Sequence, residues 1–406
     1  MSKEVNIIYI VAIESITNNI LRAQVLEFLK DLSSSTINFV LLGFADRRDT
    51  KSRHEIAELR KDLMEHNIQT HIYIKSRIKI VYILQSICML LKSMELVIRK
   101  GIHAIQGRGY INGIIGLVLK YLFQIKLIID CRGTPNEEMV IMNRWKNNGL
   151  MFRTGMRVEK YVLERADHIF CVSEAFLDYM RWRNIRQDNI DIIPCCPSED
   201  FLLSAARAEG KTKLDDTLNG KFVIVYSGSL GKWNVIEPML DFFSVVSGKI
   251  DAHFLFLTPD VESSRKLFEE RNYPLEIYTI LEVDHKDIAN YLKRSDLALM
   301  LREHSVINYV ASPVKMGEYL VCGVPVVGTP HVGAFKMLVS QYNVGFTIEL
   351  EDIRNNPGLL DKIAKMVKDN REEYREHCIN CAQAVFLRKN YVSEYIKAYT
   401  DKLQSV

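Results

Sequence analysis

The chain has 406 residues, 48% of them hydrophobic and 25% charged, so it is long enough for more than one core and has the composition of an ordinary globular protein. It contains no 18-residue run of uninterrupted apolar residues and no secretory signal pattern, so neither membrane insertion nor export is predicted. The net charge of +3 is uneven. Residues 1–197 carry 28 lysines and arginines against 21 acidic residues, and the remainder carries 25 against 29.

The first half reads as strands that alternate with helix-length segments, a pattern typical of parallel sheets covered by helices. The predicted strands are VNIIYIV, INFVLLG, THIYI, IHAIQ, KLIIDC, HIFCVS and IDIIP. Between the third and the fourth lies the segment IKSRIKIVYILQSICMLLKSMELVIRK, which is largely apolar and basic at both ends. A buried helix and a helix beside an anionic lipid surface are both compatible with this segment.

Polar residues gather where these predicted strands end, and ligands bind at the carboxyl ends of strands in such sheets. Asn18 and Asn19 follow the first strand, although Asn19 is equally compatible with a helix cap. Arg108 and Arg132 follow the fourth and fifth strands in GRGYING and CRGTPNEE. Each arginine could hold a ligand anion or a neighbouring carboxylate.

A polar stretch interrupts the alternation of strands and helices after the sequence PCCP. We interpret residues 195–220 as a linker between two domains, together with the residues that flank it. The pattern then resumes with the strands KFVIVYSG, AHFLFLT, LEIYTIL, DLALML, VPVVG and GFTIE, and becomes almost wholly helical after Glu349. The fold class predicted is α/β, with two Rossmann-like domains facing a cleft. We place them at residues 1–197 and 198–385, with residues 386–406 as a helix that returns to the first domain.

The segment YSGSLGKWN has the strand–glycine–helix context of a phosphate-binding loop. Gly228 and Gly231 would let the backbone approach an anion, Ser229 adds a hydroxyl and Lys232 adds charge. The segment matches neither the Walker A pattern nor G-x-G-x-x-G, and a plain strand-to-helix turn explains it equally well.

The segment SPVKMGEYLVCGVPVVG predicts a second helix start, with Ser312 as the cap and Pro313 at the first helical position. Lys315 and Glu318 are three residues apart on one face of this helix, and such a pair is ordinarily a solvated ion pair. Two helix starts, each with a lysine nearby, would however suit a diphosphate.

In their order along the chain, YSGSLGKWN, EVDHKDIANYLKRSDLALMLR and SPVKMGEYLVCGVPVV resemble the retaining GT-B glycosyltransferases, family 4-like, of the bacterial capsule and surface-polysaccharide type. The segment IIDCRGTPNEE is similar to one found in that subgroup. The resemblance implies that Glu318 hydrogen-bonds the nucleotide ribose, that the backbone at Gly228 approaches the diphosphate, and that the loop from Glu282 to Lys286 lies against the base. The donor-binding residues implied are Gly228, Ser229, Lys232, Val283, Asp284, Arg302, Asn308, Ser312, Lys315 and Glu318. The catalytic residues implied are Lys232, Glu318, Arg108 and Arg132, with Asn18 and Asn19 on the acceptor side.

The chain departs from this family at two positions. The family commonly has a first glutamate at the place of Val310, and Asn308, Ser312 or Glu303 would have to contact the donor sugar instead. Ser229 stands where many relatives carry an arginine, so the phosphate charge would fall mainly to Lys232 and Arg302.

The reaction implied is transfer of a sugar from a nucleoside diphosphate to a hydroxyl of a saccharide or lipid-linked saccharide, with retention, in the cytoplasm. The sequence contains no Asp-x-Asp, so we expect no metal and no cofactor beyond the donor substrate. A sugar-nucleotide epimerase of similar fold and a non-catalytic sugar-nucleotide-binding protein remain alternatives.

The basic excess of the first half also predicts reversible contact with the inner face of an anionic membrane. Arg77, Lys79, Arg99 and Lys100 flank the apolar segment and would contribute if they are exposed. A compact basic–aromatic motif is lacking, so nucleic acid is not an expected partner.

Overall fold

A computed structural model of the chain describes residues 4–18, 21–33, 36–46, 49–76 and 78–400. The chain divides into two compact units. Unit 1 comprises Met1–Val172, Leu177–Ile193 and Arg388–Val406, and unit 2 comprises Ser173–Phe176 and Pro194–Leu387.

Unit 1 is built on a seven-stranded parallel sheet in the order β3-β2-β1-β4-β5-β6-β7. Its central strands are apolar and buried, as expected of a sheet covered on both faces. The strands are β1 Val5–Ser15, β2 Ile37–Ala45, β3 Gln69–Ile74, β4 Ala104–Arg108, β5 Lys126–Cys131, β6 His168–Cys171 and β7 Ile190–Ile192.

Unit 2 is built on a six-stranded parallel sheet in the order β10-β9-β8-β11-β12-β13. The strands are β8 Phe222–Ser227, β9 Ala252–Leu257, β10 Tyr278–Leu281, β11 Leu297–Met300, β12 Val326–Gly328 and β13 Gly345–Thr347. In both units the order of connection reverses beside the first strand, between β1 and β4 and between β8 and β11. Open α/β sheets bind their ligands at such a reversal, at the carboxyl ends of the strands.

Helices connect successive strands in both units. The helices up to residue 218 are α1 Glu27–Leu32, which continues a π-helical turn at Arg22–Leu26, α2 Asp49–Glu65, α3 Lys79–Lys100, α4 Gly109–Phe123, α5 Pro135–Ile141, α6 Leu150–Leu163, α7 Glu174–Trp182, α8 Glu199–Arg207 and α9 Asp215–Leu218. Those that follow are α10 Ile236–Ser247, α11 Val261–Glu270, α12 Ile288–Lys293, α13 Val306–Val310, α14 Val314–Val321, α15 Phe335–Tyr342, α16 Leu350–Asn355, α17 Pro357–Asp369, α18 Arg371–Val385 and α19 Val392–Thr400. Short 3₁₀ turns lie at Leu275–Ile277 and Arg388–Tyr391.

The predicted α/β class with two Rossmann-like sheets is confirmed. Each of the thirteen predicted strands coincides with a strand of the described chain. Strand positions were predictable because short β-branched apolar runs between helix-length segments identify buried parallel strands.

The interpretation of residues 195–220 as a linker is wrong. This stretch contains α8 and α9, and the Ser198 hydroxyl caps α8 by accepting from the Phe201 backbone N–H at 3.1 Å. Phe201 is fully buried in the core of unit 2. Pro197 packs against Gly317 of α14. Unit 2 begins at Pro194, a few residues before the predicted boundary at 197.

The last described segment of the chain belongs to unit 1. The guanidinium of Arg388 donates to Glu27 Oε2 at 2.5 Å and to Asp31 Oδ2 at 3.0 Å. From α19, Tyr395 and Tyr399 are buried against aromatic rings of the unit 1 core. The division falls between residues 387 and 388, two residues after the predicted boundary.

Candidate functional site

The site in unit 2 lies at the reversal of strand order. β8 leads directly into Gly228, and β11 leads through Leu301 into Arg302. A backbone bridge joins Arg302 to Asn234, which lies on the loop after β8. The fold therefore brings the ends of two strands, each carrying a predicted donor-binding residue, to one edge of the sheet.

Gly228 needs to be glycine mainly because of its backbone conformation. Its φ is +145°, a backbone conformation that residues with a side chain rarely adopt. A Cβ atom at this position would also collide with the Nζ of Lys315. The glycine thus leaves room for the lysine of α14 to reach the loop that follows β8.

Arg302 is a buried cation with an incomplete set of partners. One terminal guanidinium nitrogen donates to Asn308 Oδ1 at 3.3 Å, whereas the buried Nε has no hydrogen-bond partner among the described residues. Burial lowers the pKa of Arg302 to about 10. A buried cation of this kind is stabilised when an anion binds beside it.

Lys315 supplies a second cation at the same place. Its Nζ lies 4.6 Å from the centre of the Tyr226 ring, in a cation–π contact. The pKa of Lys315 is lowered to about 7, mainly by burial and further by the Arg302 guanidinium, while the Glu318 carboxylate opposes the shift. Neither Lys315 nor Arg302 forms an ion pair with a carboxylate in the part of the chain that is described.

Glu318 lies about one helical turn beyond Lys315 on α14 and is mostly buried. Its Oε1 lies 3.0 Å from Nε2 of His285, which belongs to the loop before α12. The interpretation of Lys315 and Glu318 as a solvated surface pair is therefore wrong. Each side chain has its own aromatic or histidine partner.

The prediction that Ser312 caps the helix is wrong. α14 begins at Val314, its N-cap residue is Pro313, and no side chain caps it. The Ser312 hydroxyl instead accepts a hydrogen bond from the backbone N–H of Cys195 at 3.0 Å. The Ser312 hydroxyl therefore bonds to a backbone N–H that is distant in sequence and not to one in the first turn of α14. This bond holds the segment Pro194–Pro197 against the rest of unit 2.

Asn308 and Val310 lie on the short helix α13 and are buried. The amide of Asn308 accepts from Arg302 and donates to the carbonyl groups of Trp233 and Glu303. The Val310 side chain is fully buried, so the position of the missing family glutamate is part of the packed interior. Glu303 is exposed on the loop that follows β11.

The other predicted donor residues lie at the rim of the same sheet edge. Ser229 and Lys232 are exposed on the loop after β8, and the Ser229 carbonyl accepts from the Tyr226 hydroxyl at 2.6 Å. On the loop before α12, Val283 packs against the core and Asp284 is exposed.

Sequence reasoning missed the roles of Tyr226 and His285. Tyr226 contacts Lys315 and stacks on Phe256 with ring centres 4.8 Å apart. His285 contacts Glu318 and the Phe201 ring. Tyr226 lies in the segment YSGSLGKWN and His285 in the loop from Glu282 to Lys286, which were singled out for other residues. Their positions at the carboxyl ends of β8 and β10 could have identified them as site residues.

The two arginines predicted as site residues in unit 1 share the buried carboxylate of Asp130. Arg108 donates to Glu14 Oε2 at 2.9 Å and to Gln24 Oε1 at 3.0 Å, and Arg132 donates to Asp130 Oδ1 at 2.6 Å. Both guanidinium groups therefore hold carboxylates within unit 1. Asn18 lies in the turn three residues after β1, whereas Asn19 lies outside the described residues.

In the described part of the chain, no group of three or more histidine, cysteine, aspartate and glutamate side chains could hold a metal ion. What unit 2 offers at its sheet edge is a glycine loop, the buried cation Arg302, the partly buried cation Lys315, and a carboxylate held by a histidine. Such a set can bind an anionic group through the cations and accept hydrogen bonds from hydroxyl groups through the carboxylate.

Residues 213–385 match the family described as Glycosyl transferases group 1, and residues 89–196 match the Glycosyl transferase 4-like domain. Together the two matches cover well over half of the chain. An uncharacterized glycosyltransferase of Methanocaldococcus jannaschii is 24% identical over 302 residues, which cover 72% of this chain and 73% of that protein. Because both matching families are glycosyl transferases, sugar transfer is favoured over the epimerase alternative.

Solved structures share the fold over nearly the whole length. A glycosyltransferase from Rickettsia africae superposes with a TM-score of 0.73 and 14% identity, covering 99% of this chain and 100% of that one. The Anabaena protein Alr3699/HepE in complex with UDP superposes with a TM-score of 0.66 and 14% identity, covering 98% of this chain and 100% of that one. With two Rossmann-like units and two glycosyl transferase families matched in order along it, the chain belongs to the GT-B glycosyltransferases.

Proposed function

We propose that this glycosyltransferase takes a sugar from a nucleoside-diphosphate sugar and attaches it, with the anomeric configuration retained, to a hydroxyl of a saccharide or lipid-linked saccharide. One observation carries the donor class. Arg302 and Lys315 lie together beside Gly228 without a carboxylate partner among the described residues. Two such cations, next to a glycine whose backbone a ligand can approach closely, favour binding of a diphosphate.

The proposed roles of the other donor residues follow from their places. Glu318, held by His285, would accept hydrogen bonds from the two ribose hydroxyls. Lys232 and Ser229 would contact the diphosphate from the exposed loop, and Val283 and Asp284 would face the base. Because the Asn308 amide and the Ser312 hydroxyl already bond to protein groups, Glu303 is the better candidate for the sugar contact.

In the proposed reaction, the bond between the anomeric carbon and the phosphate oxygen breaks while a bond to the acceptor oxygen forms on the same face. The acceptor proton passes to the leaving diphosphate oxygen. Negative charge grows on the diphosphate as this happens, and the fixed charges of Arg302 and Lys315 stabilise it more strongly than they stabilise the bound donor. The roles of Arg108 and Arg132 in this step stay predictions.

The transferred group is proposed to be a hexosyl or N-acetylhexosaminyl group, and the setting to be bacterial polysaccharide synthesis, because the sequence resembles that subgroup. A uridine diphosphate donor is the first to test, because a protein of the same fold was solved with UDP. All eight cysteines are free, which supports a reducing compartment such as the cytoplasm.

A donor panel with and without acceptors tests the proposal. We expect release of nucleoside diphosphate that depends on a saccharide acceptor, with retained configuration in the product by NMR. Sugar isomerisation without release would indicate an epimerase. Binding without turnover across the panel would indicate a non-catalytic sugar-nucleotide-binding protein.

Transfer is expected to continue in excess EDTA, because the proposed charge stabilisation comes from Arg302, Lys315 and Lys232 rather than from a divalent ion. The measurement is the initial rate before and after prolonged dialysis against EDTA. Complete loss of activity that magnesium or manganese restores would contradict this expectation.

Donor affinity is expected to fall as the pH rises above 7. In the free protein the pKa of Lys315 is about 7, and the negative diphosphate raises it in the complex, so above pH 7 binding must take up a proton. The association constant should be constant well below pH 7 and fall by up to about tenfold per pH unit above it. Calorimetry with a nucleotide sugar in buffers of different ionisation enthalpy measures both the slope and the proton uptake.

Lys315→Met should bind more weakly than the wild type and lose this part of the pH dependence. Lys232→Met is the matched control, because it removes a lysine from an exposed position and should keep the wild-type slope. Equal slopes for wild type and Lys315→Met would show that another group carries the pH dependence.

A further inference from the structure

The exposed apolar side chains of the described chain are concentrated on two adjacent helices of unit 1. Eleven of the 23 large hydrophobic side chains that are exposed lie on α3 and α4. They are Ile80, Ile83, Leu84, Ile87, Leu91 and Ile98 on α3, and Ile111, Ile114, Val118, Tyr121 and Leu122 on α4. Clustering of this kind marks an interaction surface rather than scattered exposure.

On α3 the exposed residues recur at helical spacing along one side, while Met89, Ser93, Leu96 and Val97 are buried on the other. α3 is the one described helix long and apolar enough to cross a membrane, yet its buried side packs on the unit 1 sheet. The helix is therefore fixed along the sheet and presents an apolar stripe away from it.

α4 packs against α3 and against the same face of the sheet. Its exposed residues recur at intervals of three and four positions, so they too form a stripe that points away from the sheet. We call the two stripes together the α3–α4 face.

The segment of the chain that carries this face is rich in basic residues. Residues 66–158 contain 14 lysines and arginines and four acidic residues. Asp130 is buried together with Arg108 and Arg132, which pair with it. Glu95 pairs with Lys92 and Arg99, and Lys120 pairs with Asp167. The helix α6, which packs beside α4, carries exposed Arg153 and Arg157, and no acidic residue lies between Glu138 and Glu159.

We propose that the α3–α4 face docks on an anionic phospholipid surface, with its apolar side chains in the boundary between headgroups and acyl chains and the surrounding basic residues against the headgroups. Apolar stripes bordered by cations are the combination that such a surface binds. A second copy of the chain is disfavoured, because pairing this face with itself would bring two positive surfaces together. Arg77 and the Lys79 side chain, two of the residues predicted to contribute, lie outside the described residues.

Cys88 provides a direct probe of docking. It lies among the exposed apolar residues of α3 and is exposed, whereas the other seven cysteines are buried. An environment-sensitive fluorophore on Cys88 should shift to shorter wavelength with vesicles of phosphatidylglycerol and phosphatidylcholine, and much less with phosphatidylcholine alone. Added salt should reverse the shift, because screening weakens surface charge attraction.

Sedimentation of the full chain with the same vesicles tests the individual residues. Leu84→Gln with Leu91→Gln should lower partitioning by about tenfold or more, because two large apolar groups are removed from the lipid boundary. Arg153→Gln with Arg157→Gln should lower binding to anionic vesicles several-fold. The matched controls are Met64→Gln with Leu275→Gln for exposed apolar residues elsewhere, and Lys249→Gln with Lys266→Gln for exposed lysines of unit 2.

Circular dichroism and nucleotide-sugar binding of each variant check that the fold is unchanged, and the vesicle assays need neither donor nor acceptor. Equal sedimentation with neutral and anionic vesicles, or wild-type partitioning by the Leu84/Leu91 variant, would overturn the proposal. A dimer in light scattering that this variant abolishes would assign the face to a second copy. Binding to native membranes that trypsin treatment destroys, without binding to pure lipid, would assign it to a membrane protein.

Discussion

Replacing Arg302 by methionine is expected to lower kcat/KM for transfer by about 100- to 1,000-fold, the range found when one fixed group that stabilises developing charge is removed. Arg302 lies at the strand-order reversal of unit 2, and its buried Nε has no partner among the described residues. The loss should appear mainly in kcat, because the charge on the leaving diphosphate is greatest in the transition state.

The free energy of unfolding should stay the same or rise in this variant, because methionine fills similar space without a buried charge. Arg265→Met is the matched control, since Arg265 is exposed on α11 in the same unit and pairs only with nearby Glu262 among the described residues. A kcat/KM within twofold of wild type for Arg302→Met would show that Arg302 does not contact the diphosphate in the way proposed.

Glu318→Ala should weaken donor binding by about 1.5–3 kcal/mol, which corresponds to roughly 10- to 150-fold, because a charge-assisted hydrogen bond to the ribose is lost. The measurement is kcat/KM at sub-saturating donor together with the dissociation constant from calorimetry. Melting temperature serves as the check on folding.

Two further variants separate the contact with the ribose from the support of the carboxylate. Glu318→Gln keeps a hydrogen-bond acceptor without the charge and should fall between wild type and alanine. His285→Ala removes the partner 3.0 Å from Glu318 Oε1 and should cost less than Glu318→Ala, since the carboxylate itself remains. Wild-type kinetics for Glu318→Ala would refute the ribose assignment.

The sheets could be predicted from the sequence because each strand is a short apolar run whose length and neighbours identify it locally. The placement of Gly228 and Arg302 at one sheet edge could also be predicted, since both follow strands. The linker prediction failed because the polar composition of residues 195–220 conceals a capped amphipathic helix. Its burial depends on Phe201 meeting the core of unit 2, which is a long-range contact.

The partners of individual side chains were less accessible to sequence reasoning. Lys315 meets Tyr226, and Glu318 meets His285, through contacts between segments that are far apart in the chain. The sequence spacing of Lys315 and Glu318 favoured a pair with each other, because only local geometry can be computed from spacing. Arg132 illustrates the converse, since its carboxylate partner Asp130 is two residues away and lies on the strand that precedes it.

The bonds from Arg388 to Glu27 and Asp31 join residues that are 361 and 357 positions apart. During synthesis, the aromatic side chains that pack against Tyr395 and Tyr399 emerge from the ribosome long before these tyrosines exist. At about 5–20 residues per second, the interval between the synthesis of Glu27 and that of Arg388 is roughly 20–70 s. Unit 2 is complete once residue 387 has emerged, so the unit that begins the chain is the last to finish folding, and its apolar core stays partly uncovered throughout that interval.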